Sequence, residues 1–214
     1  MLLSLRIASL ATMLACAVGI PLAFVLARRR FPGKSIIEAV LTVPLVLPPT
    51  VVGYGLIIAL GHDSFLGHVI EQVFGSGILF TVSGAVIASA VVSLPLLYLP
   101  TKSAFASIET ELEDIARVMG ANPVEVFWHV SLPMARRGIA SGVLLAFARA
   151  LGEFGATLMV FGSQEHRKTL PILVYDLAYE SGSGSRAAPA IIVLVAISLL
   201  IIFLCNRPSL AGRD

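Results

Sequence analysis

The chain has 214 residues, of which 57% are hydrophobic and only 13% charged, with a formal net charge of +2. Its mean hydropathy is +0.93. Soluble domains carry roughly 25% charged residues, so the composition excludes a soluble globular domain and indicates an integral membrane protein; nothing in it calls for a nucleic-acid partner.

Four runs lack Asp, Glu, Lys, Arg and His altogether: 7–27, 39–61, 72–101 and 187–206. Each reaches the roughly 20 residues that a spanning helix needs. A fifth segment, 138–162, is as long but contains Arg149 and Glu153. The expected architecture is therefore all-α, a single membrane domain over 1–214 with spans near 7–27, 39–61, 78–101, 138–162 and 187–206. A sixth element around 170–179 is too brief to cross and is interrupted by Asp176. No barrel-type alternation occurs. The first run is too long for a signal peptide's apolar core of about 7–15 residues, and Arg28, Arg29 and Arg30 follow it where a cleavage site would stand.

Orientation follows the Lys and Arg residues flanking the spans. Arg28, Arg29, Arg30 and Lys34 follow span one; Lys102, Arg117, Arg136 and Arg137 lie in the polar stretch 102–137; Arg207 and Arg213 lie in the tail. These outnumber Arg6, Arg167, Lys168 and Arg186 on the other side, so the N-terminus is expected outside and the C-terminus inside. Cys16 is mid-span and Cys205 is near the inner end of the last span. Their depths differ, so they read as small apolar fillers and not as a disulfide. The outer loops are short, 62–71 and 163–186, the second with the serine–glycine run 181–185. No soluble domain is expected after the last span.

Span two carries Pro44, Pro48 and Pro49, then Gly53 and Gly55. Adjacent prolines remove backbone donors and kink a helix. The result is either a tolerated kink or a broken helix lining a path, with Thr50 and Tyr54 beside it; span three repeats the theme weakly with Pro95 and Pro100. In the polar stretch, Ile108, Leu112, Ile115 and Met119 form an apolar helical stripe. Glu113 and Arg117 are an i,i+4 pair on the wetter side. Gly120 stops this helix. Asn122 caps a second short one, with Pro123 in its first turn. That second helix shows Val124, Phe127 and Trp128, and Leu132-Pro133 ends it. Its aromatic face suits either a groove on a partner or the bundle's own inner surface. In span four, Arg149 lies about 16 Å along a helix counted from Gly138, near the midplane, with Glu153 four residues on. A lone charge there costs about 2.5–3.5 kcal/mol. The two are either a structural ion pair or an anion-handling pair in which Glu153 partly neutralises Arg149, so that an anion can enter and leave.

The polar stretch resembles the cytoplasmic signature of permease subunits of ATP-binding-cassette importers: an acidic residue and small residues, a glycine, then hydrophobic-x-Leu-Pro. Here these are Asp114, Ile115, Ala116, Gly120, Val130, Ser131, Leu132 and Pro133. Asp114 stands where Glu is usual, and Ile115 replaces a small residue. Residues 43–54 (VPLVLPPTVVGY) and 146–157 (AFARALGEFGAT) are similar to the molybdate/sulfate permease group, the first favouring molybdate. The resemblance implies a type I importer permease fold of five to six transmembrane helices. It makes 123–130 the coupling helix that inserts into an ATPase subunit, and assigns the coupling role to Glu113, Asp114, Ala116, Gly120, Ala121, Pro123, Val124, Phe127, Trp128, Leu132 and Pro133. It implies two permease copies, two ATPase subunits, an extracytoplasmic oxyanion-binding protein and alternating access in a bacterial or archaeal inner membrane. The implied cargo is a tetrahedral oxyanion: molybdate or tungstate first, sulfate or thiosulfate as the alternative. Candidate path residues are Pro48, Pro49, Thr50, Tyr54, Arg149 and Glu153.

Five helices are few for enclosing a route, which also favours two copies. No phosphate-binding lysine loop, HExxH or paired cysteines occur, and His62, His68, His129 and His166 are scattered. The chain is therefore expected to be neither an enzyme nor a metal binder, with ATP and Mg used by the ATPase partner. A membrane-embedded hydrolase would need a buried nucleophile–base set, and a scaffold subunit would need no path; recovery of an ATPase with the purified chain separates these.

Overall fold

The computed structural model describes residues 1–162, 168–180 and 184–205, and among these there is no strand. Arg167, Arg207, Arg213, His166, Asn206 and the first part of the serine–glycine run, 181–183, lie outside the described residues. The described residues form eleven helices in order: α1 (Leu2–Arg28), α2 (Lys34–Val46), α3 (Pro49–Leu60), α4 (Phe65–Phe74), α5 (Val82–Ala106), α6 (Thr110–Val118), α7 (Pro123–Val126), α8 (Leu132–Leu151), α9 (Gly155–Phe161), α10 (Leu170–Tyr175) and α11 (Gly184–Cys205). Two π-helical turns extend them, Phe127–Ser131 joining α7 to α8, and Asp176–Glu180 after α10.

Helices α1, α5 and α8 form the centre of the bundle. Ala8, Ala11, Ala15, Gly19 and Ala23 recur along one face of α1 and are all buried. Apolar lipid offers little drive for helices to associate, so small side chains that permit close backbone approach take over that role. Gly142 does the same for α8, where a Cβ would stand 2.8 Å from the Leu97 carbonyl oxygen of α5. Among the described residues, α1 and α5 are each long and apolar enough to cross a membrane alone. Two bent pairs reach that length together: α3 with α4, bent by 66°, and the helix from Pro123 to Leu151 with α9, bent by 58°.

The expected second span is not one helix. Leu47 (ψ 144°) and Pro48 (ψ 134°) are extended, and α3 restarts with Pro49 in its first turn. Each proline disfavours helical geometry in the residue before it. The Pro48 carbonyl then accepts from Val51 N (2.9 Å) and Val52 N (3.2 Å), opening the new helix. Pro44, in contrast, stays inside α2. The expected outer loop 62–71 is mostly α4, a short amphipathic helix whose Ser64 side chain accepts from Gly67 N at 2.8 Å. The fourth expected span begins earlier, at Leu132, and breaks at 152–154. The short element near 170–179 is α10 and its π turn, and Gly184 and Ser185 of the serine–glycine run already belong to α11.

Candidate functional site

The loop between α5 and α8 is built from strong local signals. Helix α6 ends in a Schellman motif: Gly120 adopts φ +97°, its N–H donates to Arg117 O (3.0 Å), and Ala121 N donates to Ala116 O (3.0 Å). A side chain at Gly120 would be strained there. Two residues on, Asn122 Oδ1 accepts from Val124 N and Glu125 N, both at 3.0 Å, while Glu125 Oε2 accepts from Asn122 N at 2.8 Å. That reciprocal capping box, with Pro123 in the first turn, fixes where α7 begins.

The side chains divide between two faces. Val126 is 1% exposed, and Phe127 packs inward with its ring centroid 4.9 Å from Phe24 of α1 and 6.2 Å from Phe105 of α5. Leu132 packs against the same cluster. Val124 and Trp128 face outward, 64% and 57% exposed. Adjacent residues on a helical turn sit about 100° apart; the expected common face of Val124, Phe127 and Trp128 is therefore split, with Phe127 on the bundle and the other two turned away from it. Pro133 is exposed, and Ala121 is half-buried at an open groove that also involves Ala116, Met119, Gly120, Glu125 and His129.

Helix α6 is turned the other way from its amphipathic pattern. The stripe residues Leu112, Ile115 and Met119 are exposed, as is Val118, whereas Glu113 is 1% exposed. Glu113 is thus not on the wet side. Arg28, at the end of α1, brings Nη2 to 2.7 Å of Glu113 Oε1 and draws the carboxylate inward. Asp114 remains outside and pairs with Arg117 at 2.6 Å. The stripe's sequence signal is real, but the surface it forms is left uncovered by this chain.

The second set of candidate residues lies where two broken helices meet. Glu153 sits in the α8–α9 elbow; its Oε1 accepts from Ala156 N at 2.7 Å, satisfying a donor that the break would leave open in the first turn of α9. Its Oε2 lies 2.5 Å from Arg149 Nη1, with side chains 1% and 28% exposed for Glu153 and Arg149. The restart of α3 packs directly on this elbow. A Cβ on Gly155 would stand 3.1 Å from Pro49 Cβ and 3.2 Å from Thr50 N, and one on Gly53 would stand 2.8 Å from Ala156 Cα. Pro49 and Thr50 therefore join the elbow, while Pro48 is exposed at the break and Tyr54, 57% exposed, lies on the outer side of α3. The pair is also not central along the bundle. Glu153 borders a narrow crevice with Ser4, Ser89, Thr157 and Thr169. Ser89 is only about 10 Å along α5 from its start at Val82, and Ser4 is in the first turn of α1. The earlier start of α8 at Leu132 accounts for the displacement.

Sequence reading alone missed Arg28 as the partner of Glu113 and missed the contact of Gly53 with α9. The available signals were the presence of a glycine in each of the two broken helices, Gly53 and Gly155, and the position of Arg28 at a helix end. Among the described residues no group of three His, Cys, Asp or Glu could hold a metal.

Comparison with known proteins agrees with this architecture. Residues 19–206 match the family described as binding-protein-dependent transport system inner membrane component. The molybdenum transport system permease protein ModB of Escherichia coli (strain K12) is 40% identical over 214 residues, covering 100% of this chain and 93% of that protein. A putative molybdenum transport system permease protein of Bacillus subtilis (strain 168), YvgM, is 41% identical over 206 residues, covering 96% of this chain and 90% of that one. A bacterial ABC transporter involved in import of the acidic polysaccharide alginate has the same fold, with a TM-score of 0.64 at 16% identity, over 96% of this chain and 77% of that one. The all-helical importer-permease fold expected from the resemblance is the observed one, and the chain belongs to the family of binding-protein-dependent transport system inner membrane components.

Proposed function

We propose that this chain is the membrane-spanning subunit of an ATP-driven importer of molybdate, with tungstate as the nearest competing ion. The cargo reading is supported by relatives about 40% identical along the whole chain that carry molybdenum transport in their names. The observation that carries the coupling reading is the uncovered apolar surface of α6 and α7. Leu112, Ile115, Val118, Met119, Val124 and Trp128 are all exposed beside a rigidly capped turn. An apolar patch rimmed by charge on a membrane protein's polar loop is a docking surface for a partner. An ATPase subunit would cover it, with Asp114, Gly120 and Pro123 holding its shape and Phe127, Leu132 and Pro133 tying it to the bundle.

In this reading α1, α2 with α3, α5, α8 with α9, and α11 make five crossings, with the N-terminus outside and the loop 102–137 inside. Two copies enclose the path, and an outer oxyanion-binding protein delivers the ion. Two ATPase subunits close on ATP and Mg, and the α7 segments are drawn together. The broken helices at Pro48–Pro49 and Gly152–Phe154 are then the parts that rearrange, because a helix break can change angle without unmaking a regular hydrogen-bond ladder.

Arg149 takes part in the path in a second, more specific reading, favoured by its 28% side-chain exposure beside a buried Glu153. Substituting Arg149→Gln and Glu153→Gln together removes both charges and keeps an acceptor for Ala156 N. Loss of uptake with the complex intact supports the path role; full uptake leaves the pair purely structural. For the coupling role, purification in mild detergent is expected to recover an ATPase in about equal amount, and Trp128→Ala to lose it. Recovery without any nucleotide-binding partner refutes the importer reading.

A further inference from the structure

Glu113 ties together segments that are far apart in the chain, and it does so through one buried oxygen. Arg28, the last residue of α1, donates from Nε to Glu113 Oε1 at 3.0 Å and brings Nη2 to 2.7 Å of the same atom. Ser131 Oγ donates to that oxygen at 2.8 Å. Arg117 approaches the other oxygen at 3.4 Å. Arg28 Nη1 also donates to the Ile108 carbonyl at 3.1 Å, where the chain has just left α5. Ser131 is the residue at which the π turn becomes α8. The rings of Phe24, Phe105 and Phe127 pack alongside, joining the same three segments through apolar contact.

Apolar packing alone would hold these helices at least as well, since burying an ion pair carries a desolvation penalty that hydrophobic residues of similar volume avoid. What a charge-assisted hydrogen bond adds is direction. Apolar surfaces slide over one another; an oxygen shared by a guanidinium and a hydroxyl keeps both at fixed distance and angle.

We propose that Glu113 is a positioning residue for transport: it is the joint through which displacement of the α7–π-turn segment is passed to α1. The proposal rests on the importer reading above. When the exposed face of α7 is moved by its partner, Ser131 moves with it. Because Oε1 is shared, Arg28 follows, and with it the inner end of a 27-residue helix at the centre of the bundle. Glu113 does not need to touch the partner to do this, which is consistent with its burial.

The test uses the complete complex of permease, ATPase and binding protein in proteoliposomes, and reads molybdate ions moved per ATP hydrolysed. A change that only weakens the fold lowers both rates together and leaves their ratio as it was. For Glu113→Gln the ratio is expected to fall about tenfold, within the 5–150-fold span of ordinary coupling free energies. Ser131→Ala keeps the ion pair and deletes the Oγ link from Glu113 to the moving segment, together with a long 3.5 Å contact to the Val126 carbonyl; its ratio is expected to fall about threefold or more, the low end for loss of one hydrogen bond. An unchanged ratio in Ser131→Ala overturns the joint whatever Glu113→Gln does. This variant also decides the matter if Glu113→Gln does not assemble. Absence of ATP-driven uptake in the unsubstituted complex would instead overturn the importer reading, and the joint with it.

Discussion

Two glycines on the same turn of α3 give opposite expectations for the same substitution. Gly53 is buried against α9, and a Cβ there would lie 2.8 Å from Ala156 Cα, 2.9 Å from Met159 Cβ and 3.0 Å from the Ala156 carbonyl oxygen. Ordinary carbon–carbon contacts are about 3.5–4.0 Å, so α3 and α9 must separate by roughly 0.7 Å or more to admit a methyl group. Two of the obstructing atoms are backbone and cannot rotate away. Overpacking of this kind costs about 1–3 kcal/mol. A Cβ on Gly55 would meet nothing within 4 Å, and the residue faces outward. Alanine at either position gains about 0.5–1 kcal/mol from helix propensity. Gly53→Ala is therefore expected to lose up to about 2 kcal/mol net, while Gly55→Ala gains a fraction of one. At about 2–4 °C per kcal/mol for a chain of this size, thermal unfolding in detergent should move down by several degrees for the first and slightly up for the second. Equal shifts of the same sign would refute the close crossing of the two broken helices.

Further outcomes follow from the same geometry. Phe127→Ala should destabilise the permease by about 2–3 kcal/mol, somewhat below the 3–5 of a fully buried ring, whereas Trp128→Ala should change its own stability by no more than about 0.5 kcal/mol; unfolding curves of the isolated permease compare the two. Asn122→Ala removes both acceptor bonds of the capping box and should cost the α7 turn about 1 kcal/mol, read as faster hydrogen exchange at Val124 and Glu125. Arg149→Gln leaves the Glu153 carboxylate buried and unpaired and should destabilise by about 3–5 kcal/mol; adding Glu153→Gln should recover most of that loss, because the Ala156 N–H keeps its acceptor.

Local signals were the most legible. The stop at Gly120, the cap at Asn122 and the start at Pro123 each depend on a few neighbouring residues, and all three are where the sequence pattern puts them. The adjacent prolines marked a disruption, but whether a helix bends or breaks depends on what packs against it, and here that is α9, far along the chain. The α6 stripe was legible as a pattern and misleading as to direction. Amphipathicity says that one face is apolar, not which side holds the protein. Inside a membrane protein a buried ion pair can turn a helix over, and the partner of Glu113, Arg28, is 85 residues distant. It stood in a run of three arginines that reads as a topological signal. Phe127 and Trp128 were equally indistinct, since adjacent aromatics on a π turn separate onto two faces only once the turn has been placed.

The most direct test of the transport account is uptake of labelled molybdate by proteoliposomes holding the permease, its ATPase and the outer binding protein. The account predicts uptake that requires all three proteins and hydrolysable ATP, that tungstate competes away more effectively than sulfate, and that disappears with Trp128→Ala. Accumulation that persists without ATP hydrolysis, or is unaffected by loss of that tryptophan, would contradict it.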